Sequence, residues 1–247
     1  GEPADLVGRV IERIRRGDAR MPGLPTVINQ LREVLADPEV NSARVLEVLE
    51  TDPALATRMV ATANSSLYGG RQSVRDLRSA VTRLGNQTIL EVANTAAMEA
   101  LFVCKWPQFK ELFRAYWTAA VATACLARGL AREAQIKSDE QIYLHALLHN
   151  VGELYLTSIF SEAYDHSDGE VPIGRVRAKI YEWHGRVGAE LIGSWGMDQS
   201  YSVIAARHHE MDAYKPGGPH KVLNVINLAT RLVESVGASP YPQPVRG

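Results

Sequence analysis

The feature that most constrains the fold is the spacing of the apolar residues, which recur three and four positions apart in many short segments. Val7, Val10, Ile11 and Ile14 are the first example, and this spacing is typical of one face of an amphipathic helix. Glycine and proline separate the segments, and no alternating apolar and polar pattern of useful length competes with them. The sequence therefore predicts an all-α fold.

The individual helices follow from these segments and from the residues that interrupt them. We predict helices over residues 6–16, 26–35, 42–50, 52–68, 77–84, 87–102 and 109–134, a pair within 138–158 that breaks at Gly152, and helices over 173–195, 200–210 and 220–236.

Residues 105–107 form the best candidate boundary between subdomains, because Pro107 disfavours a helical conformation of the residue before it. We expect four parts: a connecting helix at 1–20, an N-terminal helical part at 21–105, a multi-helix bundle at 106–236 and a disordered tail at 237–247.

Composition limits the partners and the location. The net charge of the 247 residues is −1 and no basic stripe is present, so we predict no nucleic-acid partner. No apolar stretch reaches the roughly 18–20 residues that cross a bilayer, so we predict no membrane contact and a cytoplasmic protein. Cys104 and Cys125 lie within apolar helical runs, and both are predicted to be small buried residues.

Three segments resemble the HDOD family: LPTV at 24–27, TDPALATRMVATANSSLYG at 51–69 and SVRDLRSAVTRLGNQTIL at 73–90. With weaker matches further along, the resemblance extends over about 20–236. It implies an all-helical domain of bacterial signal transduction, with an HD-like bundle related to the metal-dependent HD and HD-GYP phosphohydrolases.

Within the second segment, Asp52 and Pro53 are suited to begin a helix, and the run that starts at Asn64 is suited to end it. These residues have two interpretations, a purely architectural one and an interaction surface that includes Asn64, Ser65 and Tyr68.

The run LLHNVG at 147–152 resembles the place where HD phosphohydrolases carry their His-Asp pair, and here the pair is His149 and Asn150. An amide is neutral and binds a divalent cation more weakly than a carboxylate does. The resemblance also implies a histidine where the chain has Ala119 and an aspartate near Thr230. The sequence therefore predicts no catalytic residue.

The resemblance leaves a set of nitrogen ligands. His184 in EWHGRVGAELI and the pair His208 and His209 match further ligand positions of the two-metal enzymes, beside His149 and the weak ligand Asn150. Three or four imidazoles can bind Fe, Zn, Ni or Mn. A satisfied structural cluster, an occupied transition-metal site and a small-molecule pocket remain open, and the favoured function requires no cofactor.

The other polar residues near these positions have simpler interpretations. We predict that Glu153 and Glu182 are solvated charges. His145, His166 and His220 match no ligand position, and we predict that they lie at the surface or at the edge of the core.

Three functions are compatible with this pattern. The favoured one is a non-catalytic output domain that passes a signal from an upstream receiver or sensor domain to a protein partner, as in a response regulator. The second is a residual phosphohydrolase or phosphodiesterase acting on nucleotides or cyclic dinucleotides. The third is a pocket that senses a metal or a small ligand without catalysis.

Overall fold

The computed structural model describes residues 9–10, 12–18, 22–70, 72–102, 104–136, 139–165, 171–210 and 221–237. Those residues form helices and turns and contain no β-strand, which confirms the all-α prediction. The helices are α1 Thr26–Leu35, α2 Ser42–Glu50, α3 Pro53–Ala63, α4 Leu77–Leu101, α5 Pro107–Glu133, α6 Asp139–Leu148, α7 Val151–Asp165, α8 Ile173–Ser194, α9 Gln199–Arg207 and α10 Lys221–Ser235. Residues 9–10 and 12–15 are also helical.

The chain divides into two compact units, and the smaller one contains residues 24–101. Helix α4 packs against α1, α2 and α3, and buried side chains such as Leu31, Leu49 and Met59 form the core of this unit. The Asp52 carboxylate accepts a hydrogen bond from the backbone N–H of Leu55, and Pro53 takes the first helical position, so α3 begins as the sequence predicts.

Helix α4 contains the glycine that the sequence predicts as a helix end. Gly85 has φ +72° and ψ 164°, values outside the helical region, and helical residues lie on both sides of it. A positive φ suits glycine because it lacks a Cβ atom. The predicted pair of helices is therefore confirmed, although the two segments follow each other without a loop.

The larger unit contains residues 1–23 and 102–247. Its long helix α5 packs against α6, α7 and α10, while α8 packs between α7 and α9. The buried side of α5 is rich in alanine, which allows neighbouring helices to approach closely. Helix α5 therefore contacts three helices of the bundle through its alanine-rich side.

The predicted boundary at 105–107 lies just inside this larger unit, and residues 1–20 fall in the same unit as the bundle. Two contacts hold the early segment to α8. The indole N–H of Trp195 donates to the carbonyl oxygen of Pro22 at 2.6 Å, and the Arg15 guanidinium lies 5.4 Å from the Trp183 ring centre. A role of residues 1–20 as a connecting helix stays a prediction.

Two expectations about local structure are wrong. The break within 138–158 falls at His149 and Asn150, while Gly152 lies inside α7. Gly152 instead allows α7 and α8 to pack closely because it has no side chain: a Cβ atom there would lie 2.0 Å from the carbonyl oxygen of His184. Cys104 is buried as predicted, but Cys125 on α5 is exposed, so the prediction is wrong for that residue.

None of the helices in the described part of the chain combines the length and the apolarity that a membrane crossing requires. The predicted disordered tail lies outside the described residues, apart from position 237.

Candidate functional site

Four histidines of the larger unit form one cluster. His149 directly follows α6, His184 lies within α8, His208 ends α9, and His209 follows it. The ring of His208 lies 5.0 Å from that of His149 and 5.1 Å from that of His184, and the rings of His184 and His209 are 5.0 Å apart. His149, His184 and His208 are buried, whereas His209 is exposed. The structure thus brings together every histidine that the sequence singled out as a ligand.

Three of these histidines direct nitrogen atoms at one point. The Nε2 atom of His184 lies 3.1 Å from Nε2 of His208 and 3.0 Å from Nε2 of His209. One ligand atom from each of the three falls within 4.8 Å of the other two, and among the described residues no Asp, Glu or Cys joins this group. His149 also lies outside it. We call His184, His208 and His209 the histidine triad.

Backbone carbonyl groups fix the tautomer of the three buried rings. In each ring, Nδ1 lies within hydrogen-bond distance of the carbonyl oxygen three residues earlier in the chain. The acceptors belong to Ala146, Tyr181 and Ala205. Because a carbonyl oxygen only accepts, Nδ1 must carry the hydrogen, and the Nε2 atom of the neutral ring is left with its lone pair. This is the tautomer in which an imidazole binds a metal through Nε2.

Burial keeps these rings neutral. It lowers the pKa of His149 to about 4 and the pKa of His184 to about 3, and the neighbouring imidazoles contribute to both shifts. The pKa of His208 also lies well below its ordinary value, for the same reasons. A buried ring loses hydration that would stabilise its charged form, so at neutral pH all three are unprotonated.

The other part of the cluster, around His149, carries neutral oxygen atoms. The hydroxyl of Thr230 on α10 lies 3.2 Å from Nε2 of His149 and 2.9 Å from the carbonyl oxygen of Ile226, and its single proton can serve one of them. The side-chain oxygen of Asn150 is buried and has no hydrogen-bond partner among the described residues. Ala119, where the resemblance implies a histidine, is buried in α5. We call His149, Asn150 and Thr230 the amide end.

The metal that the resemblance implies can be compared with these two ends. At the triad, three neutral imidazoles with lone pairs on Nε2 fit a transition-metal ion. At the amide end, an amide and a hydroxyl stand where bridging carboxylates would be needed, so these residues do not fit a second ion.

The two glutamates near the cluster differ. Glu182 is exposed and pairs with Lys179, which confirms that it is a solvated charge. Glu153 is only 1% exposed, so the prediction of a solvated charge is wrong for it. Helix α7 is buried on all sides from Val151 to Thr157, so even its polar positions lie in the core.

His145 is also buried, which corrects its predicted place at the surface or the edge of the core. Its ring stacks on Tyr201 at 3.8 Å, and Nε2 lies 2.9 Å from the hydroxyl of Ser200, so it joins α6 to α9. His166 and His220 lie outside the described residues.

In the smaller unit, the Asn64 side chain holds the turn that follows α3. Its amide nitrogen donates to the carbonyl oxygens of Val60 and Val74, and its oxygen accepts from the backbone N–H of Val74 and the hydroxyl of Ser73. These bonds support the architectural interpretation of Asn64.

The same turn exposes one large apolar side chain. Leu67 is 69% exposed, between the partly buried Ser65 and Tyr68. Sequence analysis missed Leu67, although an apolar residue between polar turn residues was a visible signal. An interaction surface at Asn64, Ser65 and Tyr68 stays a prediction.

Sequence analysis also missed two amides on α10. The side-chain oxygens of Asn224 and Asn227 are buried without a hydrogen-bond partner among the described residues. With Thr230 they repeat every three residues along the helix, a spacing that places them near one face. That periodic polar stripe was the signal that could have revealed them.

Similar proteins support the fold. A protein of unknown function from Treponema pallidum is 22% identical over 239 residues; the match covers 90% of this chain but 44% of that protein, so the chain spans less than half of its relative's length. A crystal structure of an HDOD domain protein from Geobacter sulfurreducens, at 19% identity, superimposes with a TM-score of 0.73 and covers 100% of this chain and 84% of that one.

Two further crystal structures share the fold. A candidate metal-dependent phosphohydrolase from Shewanella amazonensis gives a TM-score of 0.73 at 24% identity and covers 95% of this chain and 84% of that one. A candidate signal transduction protein from Marinobacter aquaeolei gives 0.63 at 22% identity, covering 98% and 58%.

The sequence profile of one family matches this chain over residues 21–211. The matched region begins before the LPTV segment, includes the whole smaller unit, and continues past His209. Since this is most of the chain, the protein belongs to the HDOD domain family.

Proposed function

We propose that this HDOD chain is a non-catalytic module of bacterial signal transduction that acts by binding a protein partner. The observation that carries the proposal is the chemistry of the amide end, where the hydroxyl of Thr230 faces His149 and Asn150 stands in the place of a carboxylate. A hydrolytic centre of the HD type would need anionic ligands at these positions.

Charge supports the same conclusion. A phosphate ester brings its own negative charge, which a hydrolase neutralises with metal ions or with Arg and Lys side chains. The triad supplies three neutral nitrogens, which would hold an ion there, and a bound ion would supply Lewis acidity. Among the described residues no carboxylate joins the triad, so this group lacks an acidic side chain that could accept the proton of an attacking water.

The proposed partner is a protein because the smaller unit offers an apolar contact on a fixed support. Leu67 is exposed on a turn that the Asn64 hydrogen bonds hold in place. A preorganised apolar residue on a turn loses little conformational entropy when a partner covers it.

The catalytic alternative is tested by phosphate-ester hydrolysis. Purified protein is incubated with bis(p-nitrophenyl) phosphate, nucleotides and cyclic dinucleotides in the presence of Mn²⁺, Fe²⁺ or Mg²⁺. We expect no turnover above that of the His149→Ala variant. Metal-dependent turnover that disappears in His149→Ala would contradict the proposal and favour a residual phosphohydrolase.

Partner binding is tested by photo-crosslinking in cells of the source organism. A photoreactive residue replaces Leu67, and a matched variant carries it at Leu232, an exposed leucine of α10 in the other unit. We expect a discrete protein adduct from position 67 and none from position 232. Adducts from neither position, or equal adducts from both, would remove the support for this surface.

A further inference from the structure

We infer that the histidine triad binds a single borderline transition-metal ion, such as Zn²⁺, and that this ion ties α8 to the end of α9 without participation of His149. This metal site does not depend on the proposed signalling role. Evidence against either proposal would not contradict the other.

The lone pairs of two facing imidazole nitrogens leave a place for a cation. The Nδ1 hydrogens of His184 and His208 are committed to carbonyl oxygens, so the two facing Nε2 atoms, 3.1 Å apart, cannot donate to each other while the rings are neutral. His209 can donate one hydrogen to His184, but the facing pair remains. Two lone pairs this close repel unless a cation lies between them, so the arrangement marks a position for a cation.

The distances between the Nε2 atoms also suit one ion. Imidazole nitrogens bind zinc at about 2.0–2.1 Å, so two nitrogens on one ion can be at most about 4.2 Å apart. The separations of 3.0 and 3.1 Å around the His184 Nε2 atom satisfy this limit. The triad therefore needs little rearrangement to hold one ion.

The backbone preorganises two of the rings. Backbone carbonyls orient His184 and His208, which is the role that outer hydrogen bonds play for metal-binding histidines. The helices that carry them are close together beside the triad, since a Cβ atom at Gly185 would lie 3.1 Å from the carbonyl oxygen of Ala205. Two of the three donors are thus held by packed helices, His184 within α8 and His208 at the C-cap of α9, while His209 follows in the turn.

The site is also accessible from solvent. His209 is exposed, and its ring lies 5.5 Å from the ring of Tyr181, a residue of α8 that is itself 51% exposed. An ion can reach the Nε2 atoms along this side without unfolding of the bundle.

The donor set determines which ions bind. Neutral imidazoles favour Zn²⁺, Co²⁺, Ni²⁺ and Cu²⁺, whereas Mg²⁺, Ca²⁺ and Mn²⁺ prefer oxygen ligands, and none of the three donors is an oxygen. His149 lies outside the group and its Nε2 atom faces the hydroxyl of Thr230, so it provides a matched control in the same cluster.

The test uses the full chain without a histidine tag, treated with a chelator and then dialysed. Zn²⁺, Co²⁺, Mg²⁺ and Mn²⁺ are titrated separately by calorimetry, bound metal is counted by elemental analysis, and Co²⁺ binding is followed by visible absorption. We expect one Zn²⁺ per chain, a Co²⁺ spectrum of nitrogen ligation, a higher Tm with Zn²⁺, and much weaker binding of Mg²⁺ and Mn²⁺.

Variants assign the ligands. Loss of an outer partner already weakens metal binding by about 10–100-fold, so removal of a ligand in His184→Ala or His209→Ala should cost at least that. His149→Ala should bind Zn²⁺ like the unaltered protein. His209 is exposed, so His209→Ala should fold even where His184→Ala does not.

Several results would overturn the site. They are no Zn²⁺ binding, two ions per chain, unchanged affinity in folded His209→Ala, loss of binding in folded His149→Ala, or Mn²⁺ bound as tightly as Zn²⁺. The hydrolysis assay is separate, so each of these outcomes leaves the non-catalytic proposal standing.

Discussion

The histidine triad and the amide end are adjacent parts of one cluster, and they differ in the groups that face the Nε2 atoms of their histidines. At the triad, the Nε2 atom of His184 faces two other imidazole nitrogens. At the amide end, the Nε2 atom of His149 faces the hydroxyl of Thr230, and the neighbouring Asn150 amide is neutral. At both ends, the backbone carbonyl oxygen three residues earlier in the chain accepts a hydrogen bond from Nδ1–H of the histidine.

This difference shows that the groups that orient the histidine rings are not the groups that face their Nε2 atoms. The same kind of carbonyl hydrogen bond orients the buried ring at each end. What differs is the group that faces Nε2, which is an imidazole nitrogen at the triad and a hydroxyl at the amide end. The orientation of these rings therefore does not depend on a carboxylate partner.

The largest expected effect comes from substitution of Gly152, which packs against the backbone beside the triad. Gly152 follows the amide end and lies against the backbone of His184, so Gly152→Ala places a methyl group 2.0 Å from a carbonyl oxygen and 2.8 Å from the amide nitrogen of Gly188. We expect a loss of about 3 kcal/mol or more in the free energy of unfolding, measured with urea. Gly193→Ala in α8 is the control, because nothing lies within 4 Å of its added Cβ atom. Equal stabilities of the two variants would contradict the close approach.

Acid should destabilise the metal-free protein. The pKa of His149 is lowered by burial from 6.5 to about 4, so below pH 6.5 the unfolded chain binds a proton that the folded chain excludes. Stability is full above pH 6.5 and falls as the pH decreases towards 4, by roughly 3 kcal/mol for this histidine alone. Urea unfolding in a chelator between pH 8 and 4.5 measures the slope, which should be shallower in His149→Gln. A flat profile between pH 7 and 5 would show that the ring is not buried in its neutral form.

A smaller effect should distinguish the two ends directly. Thr230→Val removes the hydroxyl that faces His149 and leaves a buried Nε2 atom without a partner, which costs about 1–2 kcal/mol. Because Thr230 does not belong to the triad, Zn²⁺ affinity should be unchanged. Unfolding curves and zinc titrations of the same preparation test both parts. A parallel loss of zinc affinity would mean that the two ends act as one site.

The smallest effect is expected for the acidic neighbour of the triad. Glu182 is exposed and paired with Lys179, so Glu182→Gln should leave the unfolding midpoint and the zinc affinity unchanged within error. His209→Ala, titrated in parallel, shows the size of a true ligand loss. A clear loss of zinc affinity in Glu182→Gln would show that a carboxylate does serve the triad.

Local signals allowed the helices to be predicted. A capping carboxylate and a proline mark the start of α3, and a glycine with positive φ marks the break in α4, so each boundary depends on residues close together in the sequence. The break before α7 was misplaced because Gly152 acts through contact with a distant helix. A single sequence shows a glycine but does not show what approaches it.

The site could be predicted only in part, for the same reason. The resemblance identified the histidines, yet the pairing of His149 with Thr230 and the burial of Glu153 depend on helices that are remote in the sequence. The convergence of three Nε2 atoms on one point depends on ring orientations, which follow from backbone carbonyls rather than from spacing.

The early segment of the larger unit touches α8 twice. Arg15 lies over Trp183, the residue before His184, and Pro22 is bonded to Trp195 at the far end of the same helix. Arg15 and Pro22 therefore contact α8 and its C-terminal cap at two positions about three turns apart. The first of these positions adjoins His184, so α8 links the contact with Arg15 directly to the histidine triad.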